Sequence, residues 1–205
     1  MELLLIRHGL PLRIITADGV ADPPLSDAGV YQARRLAEYL TDEHIDAIWS
    51  SPLRRAAETA EVIAAQLGLT VSCADGLAES DRGSASYIPM EELRADNDER
   101  WRMVTERMRS RAACDDAELA FRAVVVETVE RIIDANPGKR VIAVCHAGVI
   151  NAYFGAITEI NRPLWFDPGY TSINRVLASR HRDRGIGGLN ELAHLRSRRT
   201  ETATS

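Results

Sequence analysis

The 205-residue sequence is short of cysteine, has a single lysine and few aromatic residues, and each shortage removes a class of function. Cys73, Cys114 and Cys145 are odd in number and scattered. They offer no Cys-x-x-Cys pair for zinc and none of the density of a secreted disulfide scaffold, so they read as reduced thiols. His44, His181 and His194 show no metal-ligand spacing, and no metal or cofactor is expected. No apolar run approaches the roughly 18 residues of a membrane span. Leu3-Leu4-Leu5-Ile6 is cut short by Arg7-His8 before it could serve as a signal-peptide core. The expectation is a cytoplasmic chain with no membrane partner. A Gly-x-Ser-x-Gly elbow and a Gly-x4-Gly-Lys phosphate loop are both absent. The formal net charge of −5 gives no bulk attraction to nucleic acid, and the C-terminal arginines (Arg180, Arg182, Arg184, Arg196, Arg198, Arg199) read as a solvated face or tail. An anionic ligand would have to be held by a local cluster of cations.

What is present is 45% hydrophobic residues in a chain long enough for one sizeable core. The expected organisation is a single domain over 1–195 and a polar, disordered tail over 196–205. Apolar runs at 2–6, 45–49 and 140–145 read as buried strands. Val30, Ala33, Ala37 and Leu40 recur at helical spacing after Ser26, a good N-cap. Leu53, Ala56, Ala60, Ile63 and Leu67 do the same after Pro52, and Gly68 closes that helix. A helix is read over about 116–135 despite the β-branched Val124-Val125-Val126, and another over 147–157. Strand-like residues follow at 171–177 and near 188–193. The charge-rich segment 89–112, with Leu93, Trp101, Val104 and Met108 as a sparse stripe, reads as a helical insertion. Strand and helix alternate, which predicts an α/β fold: a mostly parallel sheet flanked by helices on both faces.

In open α/β sheets ligands gather beyond the carboxyl ends of the strands. Strand 2–6 runs into Arg7-His8-Gly9, strand 45–49 into Ser50-Ser51-Pro52-Leu53-Arg54-Arg55-Ala56, and strand 140–145 into His146-Ala147-Gly148. Together they supply two histidines, at least two arginines and a helix start with free N–H groups, which suits a tetrahedral phosphate dianion. Taken singly, each residue has an ordinary explanation: a histidine closing a strand, a solvated arginine in a first helical turn, a glycine in a turn. Cys145 and His146 are adjacent along a strand and should face opposite ways, so they cannot form a nucleophile and base pair. Asp18-Gly19-Val20 has Thr16 where an aspartyl phosphatase would carry its nucleophile.

Leu-Ile-Arg-His-Gly at 5–9, Ser-Ser-Pro-Leu-Arg-Arg-Ala-Ala-Glu-Thr-Ala at 50–60 and Val-Cys-His-Ala-Gly at 144–148 resemble the histidine phosphatase superfamily, the phosphoglycerate mutase-like enzymes. Pro24-Leu25-Ser26 with Gly29 and Gln32-Ala33 is similar to the family's first helix start, and 189–195 to its closing strand. The resemblance implies a phosphoglycerate mutase-like fold and phosphoryl chemistry. It makes His8 the nucleophile that becomes phosphorylated, Arg7 and Arg55 the holders of the phosphoryl oxygens, and His146 the second histidine stabilising the transferring group. Gly9 and Ala147 would complete the substrate-binding backbone. Glu79, in Leu77-Ala78-Glu79, matches the family's general acid. A neutral imidazole can attack phosphorus near neutral pH without a metal or a separate base. A carboxyl acting as the acid must be protonated when substrate is bound, which nearby arginines oppose and a phosphate dianion favours.

The sequence departs from the family pattern after Arg-His-Gly, where Leu10-Pro11-Leu12-Arg13 replaces part of the usual phosphate cradle. After Glu79, Ser80-Asp81-Arg82-Gly83-Ser84 lacks the mutases' Arg-His-Tyr-Gly continuation and their basic cluster, and the one lysine, Lys139, is far away. The expectation is therefore a metal-independent phosphomonoester hydrolase acting on a small-molecule phosphate ester or a phosphoprotein. The alternatives are mutase-type phosphoryl transfer and a non-catalytic phosphate-binding or regulatory protein. The insertion 80–112, with Arg82, Tyr87, Arg94, Trp101 and Arg102, is expected to cover the leaving group as a lid.

Overall fold

The computed structural model describes residues 1–17, 19–109 and 112–196. Strand β1 (Glu2–Arg7) is followed by the short β2 (Ile14–Ile15), helix α1 (Asp27–Leu40), β3 (Ala47–Ser50), α2 (Arg54–Leu67) and β4 (Val71–Cys73). Then come β5 (Ser86–Tyr87), α3 (Met90–Ala95), α4 (Glu99–Arg109), α5 (Asp116–Asp134), β6 (Arg140–Cys145) and α6 (Ala147–Ile157). The antiparallel pair β7 (Ile173–Ala178) and β8 (Arg184–Glu191) closes the described chain apart from a 3-10 turn at Ala193–Leu195.

Among the described residues the main sheet has six strands in the order β4-β3-β6-β1-β7-β8. The first four are mutually parallel, β7 runs against them, and β8, antiparallel to β7, runs with them again. Alternation along β1 and β6 sorts the core. Leu3, Leu5, Val141 and Ala143 pack with α5 and α6 on one face, and Leu4, Ile6, Ile142 and Val144 with α1 and α2 on the other. The doubly covered, mostly parallel α/β sheet read from the alternating pattern is thus the observed architecture.

Local chemistry explains the helix boundaries. Ser26 caps α1, its Oγ accepting the Gly29 N–H at 3.1 Å. The β-branched run in α5 is overridden by a capping box between Asp115 and Glu118 and by burial of Val125, Val129 and Ile132. Helix α2 begins at Arg54, two residues after Pro52, because its first amide is taken by the Asp22 carboxylate at 2.9 Å. His146 is the N-cap of α6 and stands outside β6, so it and Cys145 do not share a strand. The last strand begins at Arg184 and ends at Glu191, earlier than the 188–193 read from the sequence, and 193–195 is a helical turn. Three glycines in β8, Gly185, Gly187 and Gly188, hide its strand character. Positions 110, 111 and 197–205, and with them part of the expected insertion and tail, lie outside the described residues, as does Asp18.

The Leu10-Pro11 departure has a clear structural use. The Leu10 carbonyl accepts from both the Ser26 amide at 2.9 Å and the Ser26 hydroxyl at 2.8 Å, and the Leu10 N–H donates to Gln32 at 2.9 Å. A Cβ at Gly29 would stand 2.1 Å from the Leu10 oxygen. The segment after His8 is therefore fastened to the start of α1. Gly29→Ala is expected to force these backbones apart and lower stability by about 1–3 kcal/mol. Urea denaturation checks this, with a change below about 0.5 kcal/mol counting against the contact.

Candidate active site

Parallel pairing of β1 with β6 sets Arg7 opposite Cys145, so the residues leaving these two central strands emerge side by side. His8 and His146 consequently lie with ring centroids 5.0 Å apart, both buried. His8 Nδ1–H donates to the Gly9 carbonyl at 2.7 Å, which leaves the lone pair on Nε2. Arg55 Nε–H donates to that same Nε2 at 3.3 Å. The two contacts agree on one tautomer: a neutral imidazole with a basic Nε2. Burial, followed by the charges of Arg55 and Arg7, holds the His8 pKa well below its ordinary value. His146 is held low in the same way, by burial, His8 and the two arginines. Its Nε2 pairs with Ser51 Oγ at 2.8 Å, and its buried Nδ1 has no partner.

The arginines are held by stacking and by their stems. Arg7 lies 4.0 Å over the Tyr170 ring, donates to the Pro168 carbonyl at 2.6 Å, and faces Asp167 at 3.4 Å. Arg55 lies 4.6 Å over the Tyr87 ring. Its terminal nitrogens stand 3.9 Å from Asp22 and 3.7 Å from Asp81, both too long for hydrogen bonds. Arg55 is 2% exposed, so a buried guanidinium keeps donor capacity directed at the cavity.

Glu79 arrives from the loop after β4. Its oxygens accept from the Gly148 amide at 2.9 Å and the Ser80 amide at 3.0 Å. Burial and the neighbouring Asp81 raise its pKa against the opposing pull of those amides and of Arg55. A Cβ at Gly148 would lie 2.2 Å from Glu79 Oε1, so this glycine makes room for the carboxyl. Arg7, His8, Arg55, Glu79, Ala147 and Gly148 all line one cavity of about 690 Å³. Gly9 is turned away from it: its N–H donates to Thr59 Oγ1 at 3.0 Å, and a Cβ there would meet the Gly29 carbonyl oxygen at 2.7 Å. Leu10 and Pro11 are also absent from the wall.

Several supporting residues escaped the sequence reading. Ser51 and Thr59 fall inside the quoted motifs, and a hydroxyl one turn beyond Arg55 was the available signal for Thr59. Tyr170 and Thr171 carried no local signal, yet the Thr171 N–H donates to the carbonyls of Arg7 at 3.0 Å and His8 at 3.3 Å. Among the described residues no group of three or more His, Cys, Asp or Glu side chains is gathered as a metal site, and no helix is long and apolar enough to cross a membrane.

A model of the histidine phosphatase superfamily (branch 1) matches residues 3–187. An uncharacterized phosphatase PhoE of Bacillus subtilis is 33% identical over 146 residues, which is 70% of this chain and 67% of that protein. Phosphoserine phosphatase 1 of Hydrogenobacter thermophilus is 39% identical over 95 residues, 45% of each chain. Among solved structures, an Entamoeba histolytica phosphoserine phosphatase mutant in complex with phosphoserine superposes with a TM-score of 0.73 at 23% identity, covering 95% of this chain and 98% of that one.

The His8 geometry has a pH consequence. Because its pKa is lowered on folding, the unfolded chain takes up this proton first, so the contribution to stability is complete above about 6.5 and is lost as pH falls towards the folded value. In nitrogen-15 spectra of the free protein, His8 should remain neutral and Nδ1-protonated at pH 6. Arg55→Gln should move its midpoint upward. A wild-type midpoint at or above 6.5 would contradict the arrangement.

Proposed function

The chain belongs to the histidine phosphatase superfamily, and on that footing we propose that it is a phosphomonoesterase working through a phosphohistidine on His8, without a metal. The observation that carries this reading is the convergence of the buried His8 Nε2 and Arg55 guanidinium with the half-buried Glu79 carboxyl on one cavity. His8 Nε2 attacks phosphorus, and the bond to the leaving oxygen breaks as Glu79 delivers its proton there. Positive charge on the imidazole is spread to Nδ1–H, which the Gly9 carbonyl already accepts. Arg7 and Arg55, in the cavity wall, would stabilise charge on the equatorial oxygens, and His146, outside the wall but with its ring 5.0 Å from that of His8, would assist them. Water then attacks the phosphohistidine, Glu79 takes its proton, and breaking the N–P bond releases phosphate and restores His8. The raised pKa of Glu79 supports an acid role for it, and a bound dianion would raise it further.

The same reading keeps residues 1–195 as one catalytic domain acting on a small phosphate ester, with the segment from residue 80 covering the leaving group. Ala147, in the first turn of α6, offers an amide without an intrahelical acceptor to the phosphate. Gly9 supports the site from behind, through the carbonyl that fixes His8.

Phosphate release from p-nitrophenyl phosphate in excess EDTA, at pH 5 to 8, tests the proposal. Wild type should hydrolyse it and His8→Ala should not, while Arg55→Gln should lose about 10²–10³ in kcat. Release that requires added metal, or that persists in His8→Ala, overturns the mechanism. Transfer to a second hydroxyl with little free phosphate would mark a mutase, and tight binding without turnover a regulatory protein. Glu79→Gln gives an independent check. It should cost about 10²–10⁴ with a simple alkyl phosphate and far less with p-nitrophenyl phosphate, whose leaving group needs little protonation. Equal losses on both would remove Glu79 from the acid role.

A further inference from the structure

The cavity is much larger than a phosphate group, and its two ends differ in kind. At about 690 Å³ it falls within the roughly 300–1,000 Å³ range of sites that enclose drug-sized molecules. Beyond the His8 end, its wall is formed by Leu93, Trp101, Val104, Met108, Phe121 and Phe166. Three of these, Trp101, Val104 and Met108, make the apolar stripe of α4 at positions i, i+3 and i+7. An amphipathic helix ordinarily buries such a stripe in a core. None of the residues of α4 is buried, and its stripe faces the cavity.

Two of the three arginines in the far wall already hold carboxylates, and the third is tied to neutral groups. Arg100 grips Asp98 through two hydrogen bonds of 2.9 and 2.7 Å. Arg107 pairs with Glu118 at 2.6 Å. Arg122 donates to Cys114 Sγ at 3.2 Å and to the Arg162 carbonyl at 3.0 Å. Arg55 at the His8 end and Arg122 in the far wall are thus the lining guanidinium groups without a hydrogen-bonded carboxylate, and Arg122 is held by the sulfur and carbonyl to which it donates.

We propose that the natural substrate is the monophosphate ester of a bulky apolar alcohol, with its hydrocarbon seated between α4 and α5. This rests on the phosphomonoesterase reading and specifies its substrate class. The occupant is fixed by continuity: the apolar chamber opens onto the phosphate end of the same cavity, so the group that fills it is attached to the phosphoryl oxygen.

The test is a series of primary n-alkyl phosphates from methyl to hexyl, whose leaving groups are chemically alike, with O-phosphoserine beside n-propyl phosphate. On the full chain, kcat/KM should rise by about fourfold per methylene until the chamber is filled. n-Propyl phosphate should exceed O-phosphoserine by at least about tenfold, the cost of seating an ammonium and a carboxylate against the apolar stripe of α4. Phe121→Ser and Val104→Ser should each flatten the series, lowering the hexyl-to-methyl ratio by about tenfold or less. A flat wild-type series, or a preference for O-phosphoserine, overturns the proposal whether or not the variants fold. If no ester is hydrolysed at all, the phosphomonoesterase reading fails on its own. Calorimetric binding of hexyl and methyl phosphate to His8→Ala then decides the chamber separately: tighter hexyl binding sustains it and equal binding rejects it.

Discussion

The contact on which the site depends is the hydrogen bond from Arg55 to His8. A guanidinium beside an imidazole, both out of water, is tolerable only if the imidazole is neutral and turns a lone pair towards the N–H. The Gly9 carbonyl enforces that orientation from the other side of the ring. The result is a nitrogen base kept unprotonated by its surroundings and aimed into the cavity. Everything around it preserves this geometry. Thr59 receives the Gly9 amide and returns its own hydroxyl to the Arg55 carbonyl at 2.7 Å, tying the loop after β1 to the first turns of α2. The tyrosine rings under the two guanidinium groups restrict their swing while leaving the charge intact.

Much of this was legible in the sequence because the site lies where three buried strands end. Arg7-His8, Arg55 and His146-Ala147 follow apolar runs that are easy to read, and a parallel sheet delivers such segments to one edge. The register that places His8 beside His146 is a property of β1 against β6 and has no local mark. Glu79 was reachable through the family resemblance alone, since its position depends on a loop and on space left by Gly148, 69 residues away. The supports of Arg7, at Pro168 and Tyr170, are equally remote along the chain. Gly9, placed by the resemblance in the substrate-binding backbone, lies instead against the Gly29 backbone, a contact with no mark in the local sequence. The extent of β8 was obscured by its glycines, which pairing with β7 nonetheless holds extended.

The cavity joins two solvation regimes in one space. At the His8 end, desolvated cations lack full partners, and at the other end apolar side chains lack a core. Each end is costly in the empty protein and each is relieved by a different part of one molecule, which is a physical basis for recognising an ester as a whole.

The three carboxylates that face the arginines, Asp22, Asp81 and Asp167, bear on how such a molecule arrives. They stand 3.4–3.9 Å from the guanidinium nitrogens and, with the formal net charge of −5, would give an incoming dianion a repulsive approach before an attractive destination. Encounter is then opposed at long range and rewarded at contact. Added salt, which weakens most pairings of arginine with phosphate, would here also lift the barrier to approach, so capture and retention of the ligand would respond to ionic strength in opposite directions.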